Sequence, residues 1–142
     1  MHYASSHVAH LASALTVLRL SLHVLAATVW VGGQLVLGGL MPTVRGLGTD
    51  APTTIAKAFG RLSWPAFWLL IVTGFWNYAA IGGAQSSGWR LAFSVKMLFV
   101  VVAGIGAFLH TRAVGAAKRG MFAGLSALAS IVALVLGVAL AG

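Results

Sequence analysis

The chain has 142 residues, 60% hydrophobic and only 7% charged, and its nine Lys and Arg against one acidic residue give a formal net charge of +8. A soluble domain of this size needs a charged surface, so this composition excludes an ordinary water-exposed globule. The absence of cysteine excludes disulfides, thiolate metal ligands and thiol redox chemistry.

In chain order, residues 1–12 form a short polar arm that carries His2, His7 and His10. If the arm is helical, His7 and His10 share a face at i, i+3, an arrangement that binds Cu(II) or Zn(II); incidental histidines on a polar arm are the plainer reading. The start "MHYASSHVAHLAS" lacks the basic segment of a signal peptide, and the apolar run after it is too long for one, so that run reads as a spanning helix. Four apolar runs follow one another: Leu20–Met41, Leu62–Ala84, Leu91–Thr111 and Gly120–Gly142, with Lys96 the one charge among them. Each is about 20 residues, enough helix to cross a hydrocarbon core of roughly 30 Å. The pattern predicts an all-α integral membrane four-helix bundle, a single membrane domain over 1–142 with helices at about 12–41, 62–80, 90–112 and 120–141.

Pro42 with Gly46 and Gly48 is expected to end the first helix, and "TTIAKAFGRLS" reads as a short interfacial helix. Pro65 is expected in the first turn of the second helix, where its missing N–H costs little. "IGGAQSSG" and "AVGAAKRG" read as the later turns. Arg45, Lys57 and Arg61 lie in the first connection and Arg112, Lys118 and Arg119 in the third, against Arg90 alone in the second and no charge at the C-terminus. Positive loops stay cytoplasmic, which predicts a multi-pass protein of the cytoplasmic (inner) membrane with both termini outside. The basic balance then reflects topology and lipid headgroups, the bilayer being the expected partner and nucleic acid not.

On a helical wheel of about 100° per residue, Arg19, Trp30 and Gln34 fall at about −40°, −20° and +20° from His23, and Thr16 joins the same side. Polar groups in a spanning helix face the bundle, so this stripe is expected to line the interior. At about 1.5 Å per residue, His23 lies roughly 6 Å below Arg19, Lys96 roughly 9 Å below Arg90, and Asn77 roughly 24 Å above Arg61. Three helices thus contribute His23, Asn77 and Lys96 at similar depth. Each has a plain counterpart: interhelical hydrogen bonds for His23 and Asn77, snorkelling for Lys96. His110 lies about 14 residues, roughly 21 Å, from Lys96 and reads as an interfacial residue. Met41, Met97 and Met121 are soft Cu(I) donors in principle, but their isolation reads as packing or lipid contact.

"LHVLAATVWVGG" resembles the opening helix of the copper resistance D (CopD) domain, with its histidine followed by Trp and paired glycines. "FGRLSWPAFWLLIVTGFWNYAAI" resembles the next segment, and "SGWRLAFSVKMLFVVVAGIGAFLHTRA" the third, with an in-membrane lysine and a basic exit. The match covers roughly residues 18–140 and rests on the order of His23, Trp30, Thr73-Gly74, Asn77, Lys96 and Arg112. The resemblance implies a four-helix membrane bundle and copper binding or movement across the cytoplasmic membrane, with His23 and Lys96 lining the site; Asn77, by its similar depth, is a further metal-binding candidate. Four-helix bundles with intramembrane histidines also resemble small b-type cytochromes and haem-binding membrane protoporphyrinogen oxidases. There His23 would be an axial ligand, Arg19 a propionate partner and Lys96 a second cofactor-binding group. A third reading is an accessory structural subunit of a larger membrane complex or a homo-oligomer. No paired carboxylates, nucleophile–base pair or phosphate loop is evident, which points away from hydrolytic chemistry.

Overall fold

The computed structural model describes residues 11–141, and among the described residues there are helices and turns but no strand. Four helices are long and apolar enough to cross a membrane: α1 (Ala14–Gly46), α2 (Ala51–Ala80), α3 (Ser87–Arg112) and α4 (Ala116–Ala139). Contacts fix their directions. His23 meets Thr73 while a Cβ at Gly33 would meet Phe59, so α1 and α2 are antiparallel. Trp89 donates to Leu140 O and Ser126 to Ala103 O, so α3 and α4 are antiparallel as well. Trp30 bonds Ser130 across α1 and α4, and Tyr78 stacks on Phe93 across α2 and α3, which closes an up-down-up-down bundle.

Local chemistry sets several boundaries. Ser13 Oγ accepts from Thr16 N at the start of α1, and Ser86 Oγ accepts from Trp89 N at the start of α3. Each cap satisfies one of the four amides that a helix start leaves open. The tight link into α4 depends on Gly115, whose φ of 90° is a conformation side chains disfavour.

Two sequence expectations are corrected. Pro42 does not end the first helix, which runs on to Gly46. A proline loses one main-chain bond and crowds the carbonyl four residues back, but Gly38 and Gly39 have open space beside them, and lipid-spanning helices tolerate such prolines. The segment expected as an interfacial helix is the first part of α2, which starts at Ala51 with proline in its first turn and carries Pro65 in its interior. The Phe59 ring from that segment fills the space beside Gly33, so the segment belongs to the bundle.

The packing is the inverse of a soluble protein. The largest fully buried side chains are Thr73 and Ser126, with Ala26, Ala103, Ala129 and Ala133 among the other buried residues. Large apolar residues such as Leu98, Leu128 and Val135 point outward. In lipid the exterior gains nothing by being polar, so small residues and hydroxyls collect where backbones approach and bond across helices. Gly106 shows the limit: a Cβ there would stand 3.0 Å from Ser126 N and 3.2 Å from its Cα.

Candidate functional site

The polar residues of α1 divide into two layers with different partners. Residues Thr28–Gly32 form a π-helical turn. Such a turn takes in one extra residue and rotates everything beyond it by about 100° relative to an ideal α-helix. The single stripe of the helical wheel is therefore split: His23 bonds α2, Gln34 beyond the turn faces α4, and Trp30 inside it lays its ring on α2 while its indole N–H reaches α4.

The layer beyond the π turn is closed on itself. Trp30 Nε1 donates to Ser130 Oγ at 2.9 Å, and Gln34 Nε2 donates to Trp30 O at 3.0 Å. Ser126 Oγ lies 3.1 Å from Gln34 Oε1 and 2.9 Å from Ala103 O. Trp30 also packs on Phe67 and Trp64, with ring centroids 4.5 Å and 5.8 Å away. Ser126 has one proton for these two acceptors, so it serves one of them at a time, and the set fastens α1 to α3 and α4.

The layer nearer the chain termini is not closed. His23 Nδ1 lies 2.7 Å from Thr73 Oγ1, which in turn donates to Leu69 O at 2.6 Å. The hydroxyl has one proton and the carbonyl can only accept, so that proton belongs to Leu69 O. Thr73 is thus the acceptor for His23 Nδ1–H, and in the neutral ring the lone pair sits on Nε2. Gly74 lies against the ring, where a Cβ would make an ordinary 3.7 Å contact with His23 Cε1. One turn along α1, Arg19 Nη1 donates to Asn77 O at 3.3 Å. Asn77 Oδ1 is buried and finds no hydrogen-bond partner among the described residues. A buried acceptor without a donor is costly and therefore marks a place for a water, an ion or a ligand group. Lys96 reaches from α3 to α4, where a Cβ on Gly137 would lie 3.0 Å from its Nζ. Gly137 lies three residues before Leu140, whose carbonyl accepts from Trp89, so Lys96 sits toward the same end of the bundle as the start of α3.

His23, Arg19, Asn77 and Lys96 thus share the termini half of the bundle, while Trp30 and Gln34 serve the other layer. His110 is remote from them, its Nδ1–H donating to Arg119 O at 2.8 Å across the α3–α4 turn. His2, His7 and His10 lie outside the described residues. Among the described residues no three His, Cys, Asp or Glu side chains come together as a metal cage. Sequence reasoning gave no role to Ser126 and Ser130 and met Thr73 only within a resemblance. The signal was available: hydroxyls or carboxamides four residues apart in an apolar helix, as in Ser126/Ser130 and Thr73/Asn77, share one face.

The four apolar helices and their polar interior define a multi-pass helical membrane protein, with one polar layer bonded across α1, α3 and α4 and one in which Asn77 Oδ1 has no partner among the described residues. Comparison with protein-family models, curated proteins and solved structures found no match for this chain.

Proposed function

We propose that this chain is a CopD-like membrane protein that binds copper in transit through the cytoplasmic membrane, with His23 as the principal ligand. The observation that carries the reading is the hydrogen bond from His23 Nδ1 to Thr73. Metal-ligating histidines characteristically donate the other ring N–H to a fixed acceptor, which orients the ring and presents the free nitrogen. Asn77 Oδ1, buried without a donor, is a second oxygen-type ligand, and Lys96 in its amine form is a third. Imidazole nitrogen, carboxamide oxygen and amine nitrogen suit Cu(II) better than Cu(I). With one imidazole and no carboxylate or thiolate, the set favours weak, exchangeable binding, which fits a cargo better than a stored cofactor. By the distribution of Lys and Arg, the helix ends that flank the α1–α2 and α3–α4 turns and carry Arg45, Lys118 and Arg119 face the cytoplasm, and the termini face outward.

Haem b is the second reading, and Arg19 favours it. It spends Nη1 on Asn77 O one turn from His23, and its remaining N–H groups are available to a propionate. Metal analysis and an absorption spectrum of the purified protein separate the two. Copper taken up by a colourless protein, and lost in His23→Ala, supports the first reading. A Soret band lost in the same variant supports the second. Binding of neither, with co-purification of a large assembly, overturns both in favour of a structural subunit. Helical circular dichroism of each variant separates lost ligand from lost fold.

A further inference from the structure

A second feature lies on the α2–α3 seam, away from the polar layers. A cleft of ≈ 380 Å³ runs between these helices, with Trp64, Trp68 and Ile71 on one wall and Met97, Val101 and Phe108 on the other. Trp68, Val101 and Phe108 are exposed, so the cleft opens sideways, toward the acyl chains of a surrounding bilayer. Its floor exists because Gly104 has no side chain: a Cβ there would be 2.8 Å from the Phe67 ring. From Trp64 to Ile71 it extends about 10 Å along the helix axis, the upper part of one acyl chain.

The mouth of the cleft is cationic. Arg112 sits over the Phe108 ring, its guanidinium carbon 5.0 Å from the centroid. Arg61 precedes Trp64 by three residues, which puts it on the same face of α2 one turn nearer that end. Each wall therefore ends in an exposed arginine. Only one acidic residue, Asp50, exists in the whole chain, so a second copy would bring cations to cations.

We propose that this cleft is a binding site for an anionic phospholipid, with one acyl chain lying along the aromatic walls and the phosphate held between Arg61 and Arg112. Guanidinium groups bind phosphate oxygens through paired N–H donors, and the rings above them give a flat apolar support for the chain. This site is independent of any ligand at His23.

Tryptophan quenching by brominated lipid tests the proposal, because Trp64 and Trp68 line the cleft. The full chain is reconstituted in phosphatidylcholine vesicles containing a small fraction of lipid brominated on the acyl chain, either phosphatidylglycerol or phosphatidylcholine. Brominated phosphatidylglycerol is expected to quench at lower mole fraction, by about fivefold for each arginine engaged. The preference should vanish in Arg61→Gln/Arg112→Gln and persist in Arg45→Gln/Lys118→Gln, which lowers the same overall charge elsewhere. Trp64→Phe/Trp68→Phe should remove the responding emission, and inorganic phosphate should fail to compete. Equal quenching by the two lipids in the parent protein overturns the proposal and leaves ordinary annular lipid. Equal loss in both charge variants overturns it in favour of a diffuse basic surface. Full competition by inorganic phosphate overturns the role of the cleft itself.

Discussion

Thr73→Val is the sharpest test of how His23 is held. The substitution keeps the shape of the side chain and removes the hydroxyl, so the change in volume is small and the change in hydrogen bonding dominates. Two contacts disappear: the 2.7 Å bond to His23 Nδ1 and the 2.6 Å bond to Leu69 O. The second matters little, because a helix carbonyl keeps its main-chain donor. The first leaves an imidazole N–H half-buried and unpaired, which in a water-soluble protein costs about 1–3 kcal/mol. In lipid, couplings between helices are smaller, about 0.6 kcal/mol on average and about 1.7 at most, because the separated helices also find partners. A net loss of about 1 kcal/mol is expected, roughly a fivefold change in the unfolding equilibrium. Reversible unfolding in mixed micelles, followed by circular dichroism, measures it. A cycle pairing Thr73→Val with His23→Phe should return a coupling of about 0.6 to 1.7 kcal/mol, and Thr73→Ser should stay within about 0.5 kcal/mol of the parent. If copper binds through His23, Thr73→Val should also weaken it by about 10- to 100-fold. Zero coupling with unchanged stability would refute the assignment of Thr73 as the group that orients the ring.

Gly106→Leu should destabilise the bundle by about 1–3 kcal/mol, because its side chain meets the Ser126 backbone, which cannot turn aside; Gly124→Ala, with open space around it, should be near neutral in the same unfolding assay. Ser130→Ala leaves the indole N–H of buried Trp30 without its acceptor and should cost about 0.6–1.7 kcal/mol. Adding Trp30→Phe to Ser130→Ala should cost less than the sum of the two single changes, since it removes the stranded donor. Substituting His110 by Ala should leave any copper or haem signal intact, because its hydrogen bond to Arg119 O lies in the α3–α4 turn and not in the layer of His23.

Composition and periodicity alone determine that this chain is a set of four apolar helices, because backbone hydrogen bonds cannot be left open in hydrocarbon and about 20 residues of helix are needed to cross it. They also determine that His23, Asn77 and Lys96 lie at comparable depth, since helical rise is nearly constant. The start of α2 carries proline in its first turn at Pro52, but Asp50 before it makes no side-chain capping bond, and the later Pro65 gave a competing signal. Only the tertiary structure decides where the side chains of α1 point, because one π-helical turn rotates the helix beyond it and no wheel drawn at constant pitch contains that turn. It is this rotation that turns Gln34, with the indole N–H of Trp30, toward the serines of α4. His23 is left with Thr73 on one nitrogen and a free lone pair on the other.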